Sequence, residues 1–178
     1  MIKMEKDNNC DKCGLKKSSR QIVWGEGEVK SVFIIGMCPG ETEDKLGIPF
    51  VGASGKLVRN VIDHRYYVTN VVKRRPTDDN TINGKNRDPT EDEIKTCVNE
   101  HLIKELQEYK PTKVILLGKV AQSLVDIFPG IFDGIEVVNY THPSYALRTG
   151  KTNTWELEFG KKILEKGEKK NTLAQWFK

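Results

Sequence analysis

The strongest constraint in this chain is a repeated pattern. Four short runs of β-branched and aliphatic residues are each closed by turn formers and separated by segments with helical spacing. "SVFIIG" (31–36), "YYVTNVV" (66–72), "KVILLG" (113–118) and "IEVVNY" (135–140) have the length and residue types of buried strands. Between them, "SGKLVRNVID" and "TEDEIKTCVNEHLIKELQEY" carry apolar residues three and four apart, and "GKVAQSLVDIF" supplies a third helix. Thr90 with Glu93 forms a capping box for the second of these. Strand and helix alternating in this order predict an α/β fold of three layers, α/β/α. A four-stranded, mostly parallel central sheet lies between the helices, and ligands bind at the carboxyl ends of the strands.

At 178 residues with 37% apolar content, the chain suits a single domain spanning 1–178. No apolar run approaches the roughly 20 residues of a membrane span. The amino-terminal "MIKMEKDNN" also lacks the apolar core of a secretory signal. The expectation is a soluble cytoplasmic monomer. The formal charge is only +4, but Lys and Arg cluster at "KRR" (73–75) and in "KKILEKGEKK" near the carboxyl terminus. Such runs serve either a solvated surface or a nucleic-acid backbone, and charge alone does not separate the two. The polar, Gly/Pro-punctuated "RPTDDNTINGKNRDP" reads as a surface loop or insertion.

Glycines crowd the stretch after the first strand, "GMCPGETEDKLGIPFVGASGK" (36–56), yet neither nucleotide motif is present. A phosphate-binding loop needs Gly five positions before its Gly-Lys pair and Ser or Thr after the Lys, where this chain has Phe50 and Leu57. The glycines also never fall as Gly-x-Gly-x-x-Gly. The loop therefore serves another ligand. Strand one runs into Gly36-Met37-Cys38-Pro39-Gly40, strand two carries Asn70, and strand four runs into "THPSY" with His142. In a parallel sheet these ends converge on one edge, with Phe50 in the same loop, which makes a candidate site.

Four cysteines in a reducing compartment are poor candidates for structural disulfides. Cys10 and Cys13 form a Cys-x-x-Cys turn that can present two thiolates to one metal, and no strand precedes it as a redox motif would require. Cys97 lies on the long helix and Cys38 in the glycine loop.

Taken together, "VWGEGEVKSVFIIGMCPGETEDKLGIPFVGASGKLV", "YYVTNVVKRRP", "NRDPTEDEIKTC" and "THPSYALR" resemble the successive motifs of the family-4 uracil-DNA glycosylases, the iron-sulfur type of archaea and many bacteria. The resemblance runs through roughly residues 10 to 150, in order. It implies a DNA-repair enzyme that flips uracil out of DNA and hydrolyses its N-glycosidic bond, with uracil-containing DNA as partner. By the same resemblance Phe50 stacks on uracil and Asn70 reads its O4 and N3–H edge. His142, with backbone N–H groups near Met37 and Cys38, binds O2 as charge develops there. Ser54 and Ser144 hold phosphates, Leu147 fills the vacated stack while Arg148 meets phosphate, and Glu43 crowds the 5-position of the base.

Two departures from that family stand out. The loop of the family begins Gly-Glu, and its carboxylate positions or activates water. Here the position is Met37, which has no proton to exchange, and Cys38 after it is a weak water holder or a small filler. Activity reduced by Met37 is the expectation. The family also supplies four cysteines to a 4Fe-4S cluster. Cys10, Cys13 and Cys97 match, but Arg74 replaces the fourth. A cluster on a substitute ligand, a zinc site or no metal remain open, with His101, one helical turn after Cys97, as substitute ligand. A related branch captures uracil covalently through a His in an expanded loop after the Asn-bearing strand. The expanded loop of this chain has no His, so capture does not carry over, and a loop that grips DNA or is solvated is expected. The alternative function is a glycosylase-fold module that has lost catalysis and binds DNA or a protein partner.

Overall fold

The structure is a computed structural model that describes residues 6–62 and 66–164. The last part of the carboxyl-terminal basic run and the first five residues of the chain lie outside the described residues. Four strands form one all-parallel sheet: β1 (Val29–Gly36), β2 (Tyr66–Asn70), β3 (Lys113–Leu117) and β4 (Glu136–Tyr140), in the order β2-β1-β3-β4. Every residue of β3 is buried, as its unbroken apolar run requires of an inner parallel strand. The edge strand β4 alternates between half-buried and exposed.

The period of two along each strand sorts the core into two layers. Phe33, Ile35, Tyr67, Val114 and Leu116 face one side. There they meet Ile94, Val98, Leu102, Leu106, Ala121 and Leu124, carried by α3 (Glu91–Cys97), a π turn (Val98–Leu102), α4 (Ile103–Tyr109), α5 (Lys119–Gln122) and α6 (Leu124–Ile127). Ile34, Val68, Ile115 and Leu117 face the other side, against α2 (Ala53–Val61), α7 (Pro143–Thr149) and α8 (Thr152–Leu164). This is the three-layer α/β/α fold anticipated from the strand pattern.

Several boundaries differ from the sequence reading, each for a physical reason. The second strand ends at Asn70 rather than at residue 72, because Val71 and Val72 both pack into the same apolar layer and strand alternation cannot place neighbours on one side. The helix read over 90–109 exists, with its Thr90/Glu93 capping box, but a π turn interrupts it. The segment 118–128 is two short helices. Among the described residues, three further α-helices lie outside the segments read as helical: α1 (Glu41–Leu46) within the glycine loop, α7 after His142, and α8, which seals the second layer with Trp155, Phe159 and Ile163.

The basic run 73–75 is neither a solvated face nor a nucleic-acid patch. Lys73, Arg74 and Arg75 are 1%, 4% and 3% exposed. Each has acceptors inside the fold, which offset the cost of burying a charge: Lys73 pairs with Glu105, and Arg74 and Arg75 donate to backbone carbonyls and neutral side chains. No described helix is long and apolar enough to cross a membrane.

Candidate functional site

Strand register brings the predicted residues together. Gly36 pairs with Asn70, and Leu117 with Tyr140, so the ends of β1, β2 and β4 deliver Met37, Asn70 and His142 to one edge of the sheet. They line a cavity of about 390 Å³ together with Cys38, Glu43, Phe50 and Ser54.

Phe50 forms the cavity floor at 6% exposure, and its backbone has φ 58, a left-handed conformation that costs a bulky residue about 1 to 3 kcal/mol. The surroundings hold it there. The Glu43 carboxylate accepts the N–H groups of Gly40 (3.1 Å), Val51 (3.0 Å) and Gly52 (2.6 Å), locking the chain on both sides of α1 and directly after Phe50. A Cβ at Gly55 would lie 2.4 Å from Phe50 Cα, so only glycine permits this approach. A Cβ at Gly36 would lie 2.6 Å from Asn70 Oδ1 and 2.7 Å from Phe50 Cζ. Glu43 is thus a brace of the loop that also borders the cavity, with both oxygens already engaged. Its neighbour Asp44 is fully buried and accepts the Arg20 N–H (2.8 Å) and guanidinium (3.1 Å).

Asn70 is 5% exposed, and no protein group among the described residues hydrogen-bonds its side-chain amide, which is left for a ligand. Its backbone carbonyl accepts from Lys73 Nζ at 2.8 Å. That ammonium also meets Thr69 Oγ1 and the fully buried Glu105 carboxylate, at 2.8 Å from its Oε2. A buried ion pair therefore stands directly behind Asn70.

His142 caps α7: its Nδ1 accepts the Ser144 N–H at 3.2 Å and lies 2.9 Å from Ser144 Oγ. Burial, and then the nearby Arg148, push its pKa below the usual imidazole value. The ring is neutral at pH 7, and with Nδ1 accepting, its proton sits on Nε2. Arg148 donates to Ser144 Oγ at 3.3 Å. Ser144 and Arg148 thus form a chain that orients the imidazole, a relationship the motif did not disclose. Leu147 and Tyr145, 41% and 48% exposed, project from α7, so the predicted wedge sits on a helix. Ser54 lies in the first turn of α2 at the cavity wall. Met37 lines the cavity without any ionisable group. Burial and the neighbouring Asp88 push the Cys38 thiol up to about 12, so it stays protonated, packed against the first apolar layer.

The sequence reading missed one wall. The stretch 75–89 is a surface loop, exposed over 78–83 and 85–86, but it also contributes to the site, because Asn86, Arg87 and Asp88 line the cavity. Arg75 donates to Asn86 Oδ1 (2.6 Å), Ile82 O (3.0 Å) and Gly84 O (2.8 Å), so the loop wraps a buried guanidinium. Arg87 makes a two-pronged pair with Glu93, at 2.8 and 2.7 Å, tying the loop to α3. The hint was in the composition: two arginines flank a stretch whose backbone carbonyls needed donors.

The proposed metal ligands do not form a centre. Cys10, Cys13 and Cys97 lie close enough for their charges to act on one another. Burial holds the Cys97 thiol up to about 12, and its Sγ accepts the Lys73 N–H at 3.2 Å. Arg74 cannot ligate. Its guanidinium instead donates to Cys10 O (3.0 Å), Ser19 Oγ (3.1 Å) and Asn8 O (3.3 Å). His101 does not take the missing place: it packs edge-on against Trp24 at 5.1 Å, and burial followed by the Lys73 charge lowers it to about 4. Among the described residues no three His, Cys, Asp or Glu side chains are grouped to hold a metal ion. The donor set fits neither a four-thiolate iron–sulfur cluster nor the zinc alternative of three thiolates and one imidazole. Arg74 ties the amino-terminal segment to the end of β2 through hydrogen bonds.

The sequence profile of the Uracil DNA glycosylase superfamily matches residues 25–164. The Type-4 uracil-DNA glycosylase of Pyrobaculum aerophilum is 35% identical over 79% of this chain and 80% of its own length. That of Saccharolobus solfataricus is 35% identical over 87% of this chain and 67% of its own, and that of Thermotoga maritima 31% identical over 83% and 82%.

Two stability measurements test the supports behind the site. Lys73→Met should lower the unfolding free energy by about 3 to 5 kcal/mol by leaving the Glu105 charge unpaired. The double variant with Glu105→Leu should recover most of that loss, as replacement of a buried pair by apolar groups often does. A double variant as unstable as the single would show that the charges do not act as a pair. Arg74→Ala should cost about 2 kcal/mol, the worth of charged hydrogen bonds, and should speed proteolysis within residues 8–19. Unchanged protection there would rule out Arg74 as the tie.

Proposed function

The chain belongs to the uracil-DNA glycosylase superfamily, and we propose that its cavity receives a uracil flipped out of DNA and releases it by hydrolysis of the N-glycosidic bond. The observation that carries this reading is the convergence of a buried aromatic floor, an unpartnered amide and a neutral Nε2–H imidazole around one cavity. Extrusion costs a few kcal/mol of stacking and pairing. Phe50 repays part of it by stacking on the base.

Asn70 supplies selectivity. Its amide N–H suits the uracil O4 and its oxygen suits N3–H, whereas cytosine presents the opposite pattern at those atoms. His142 donates from Nε2 to the uracil O2. As the glycosidic bond lengthens, charge accumulates on the base, and a fixed neutral donor in a dry site is worth about 3 to 4 kcal/mol against that charge. The Ser144–Arg148 chain keeps the donor aimed, so these two residues serve the leaving group at least as directly as they serve phosphate. Ser54, in the first turn of α2, holds phosphate beside the flipped nucleotide. Leu147, with Tyr145 beside it, fills the gap left in the stack. No step uses a metal ion or cluster, because the donor set does not fit one.

Met37 and Cys38, neither able to exchange a proton near neutral pH, favour one second reading: a module that binds uracil-containing DNA without cutting. Incubation with a uracil-containing oligonucleotide followed by alkali separates the two. Strand cleavage supports the enzyme, and retarded but intact DNA supports the module. Asn70→Asp should slow uracil release by about 100-fold or more, the effect of removing one aimed donor. It should also admit a trace of cytosine release, because a carboxylate accepts from the cytosine amino group. Uracil release at the unmodified rate would remove Asn70 from the site.

A further inference from the structure

Hydrolysis needs an acceptor for the proton of the attacking water, and neither Met37 nor Cys38 can be that acceptor. Three carboxylates line the cavity: Glu41, Glu43 and Asp88. Glu41 is paired with Lys45 at 2.6 Å. Glu43 holds three backbone N–H groups with its two oxygens. No group among the described residues donates to the Asp88 side chain. Its backbone is nonetheless fixed, since its carbonyl accepts from Arg87 Nη1 at 3.0 Å, Arg87 is clamped to Glu93, and the buried Pro89 follows.

Depth in the cavity separates roles. Phe50 and Asn70, at 6% and 5% exposure, are the floor that takes the base, so the sugar and its C1′ lie toward the mouth. Asp88 is exposed at that mouth, within reach of water. Its negative charge is felt by both His142 and Cys38, which come from two other walls.

Resting on the glycosylase reading above, we propose that Asp88 is the carboxylate that holds and deprotonates the attacking water. The water oxygen bonds to C1′ of the deoxyribose while the C1′–N1 bond breaks. That electron pair leaves on the uracil, stabilised by His142, and the water proton passes to Asp88. A carboxylate at the mouth also stabilises the positive charge that gathers on the sugar as the bond lengthens.

The test uses the full chain and two oligonucleotides, one with deoxyuridine and one with its non-cleavable 2′-fluoro analogue. Asp88→Asn, an exposed and nearly isosteric change, should slow single-turnover uracil release by about 100-fold or more, the range of a positioned acid–base group. Affinity for the fluoro analogue should stay the same or rise, since a negative charge near phosphates is removed. Adding Met37→Glu to Asp88→Asn should restore part of the rate, because it places a carboxylate on another residue that lines the same cavity. An active unmodified protein whose Asp88→Asn variant releases uracil at the same rate overturns the role of Asp88 alone. A rate loss matched by an equal loss of affinity also overturns it, as it would make Asp88 a binding residue. Absence of uracil release by the unmodified protein overturns the glycosylase reading with it.

Discussion

The site depends on one missing atom, the Cβ of Gly36. The strand register sets Gly36 beside Asn70, and the space its side chain would fill is occupied by Asn70 Oδ1 on one side and the Phe50 ring on the other. Ring and amide both crowd the Gly36 backbone, the least deformable part of the fold. Phe50 keeps a left-handed conformation because Glu43 fixes the N–H groups after it and Gly55 lets α2 come up beneath it. Strain of this kind persists only when surroundings over-determine it. The outcome is a slot formed before any ligand arrives, which is what the electrostatic and stacking stabilisation proposed above requires.

Behind the slot, three consecutive cations, Lys73, Arg74 and Arg75, each brace a different part. Lys73 supports the Asn70 carbonyl from an ion pair with Glu105, Arg74 ties down residues 8–19, and Arg75 gathers the stretch 82–86 into a cavity wall. A run that looks like a phosphate-binding patch is an internal scaffold. Arg74 makes the link between the amino-terminal segment and the end of β2 by hydrogen bonding.

Much of this was legible in the sequence, and the limits have physical causes. Strands were legible because buried parallel strands are short, apolar and β-branched. Asn70 and His142 followed because parallel topology forces strand ends together. Helix α8 carries Trp155, Phe159 and Ile163 four apart and was equally readable, but its polar face masked the stripe. The burial of Lys73, Arg74 and Arg75 was not legible, because whether a charge is inside depends on acceptors brought from residues 8 to 105 by tertiary folding. The same holds for the wall built by Asn86, Arg87 and Asp88: a polar, Gly/Pro-rich stretch reads as a surface loop, which it is, but the buried Arg75 guanidinium that folds it against the cavity is not visible in the sequence. The cysteines left metal alternatives open; the described residues supply three thiols and an arginine, which lack a fourth ligand, and His101 is turned to Trp24.

The rigid placement of Phe50 and Asn70 is what makes the cavity work, and the most direct measurement of it is single-turnover uracil release by Gly36→Ala, with thermal unfolding followed in parallel. The added methyl meets only the ends of two side chains, so the protein should still unfold cooperatively. Displacing amide and ring together should slow release by about 100-fold, the effect of a misplacement near 1 Å. A folded Gly36→Ala protein that releases uracil at the unmodified rate would contradict that placement as the source of activity.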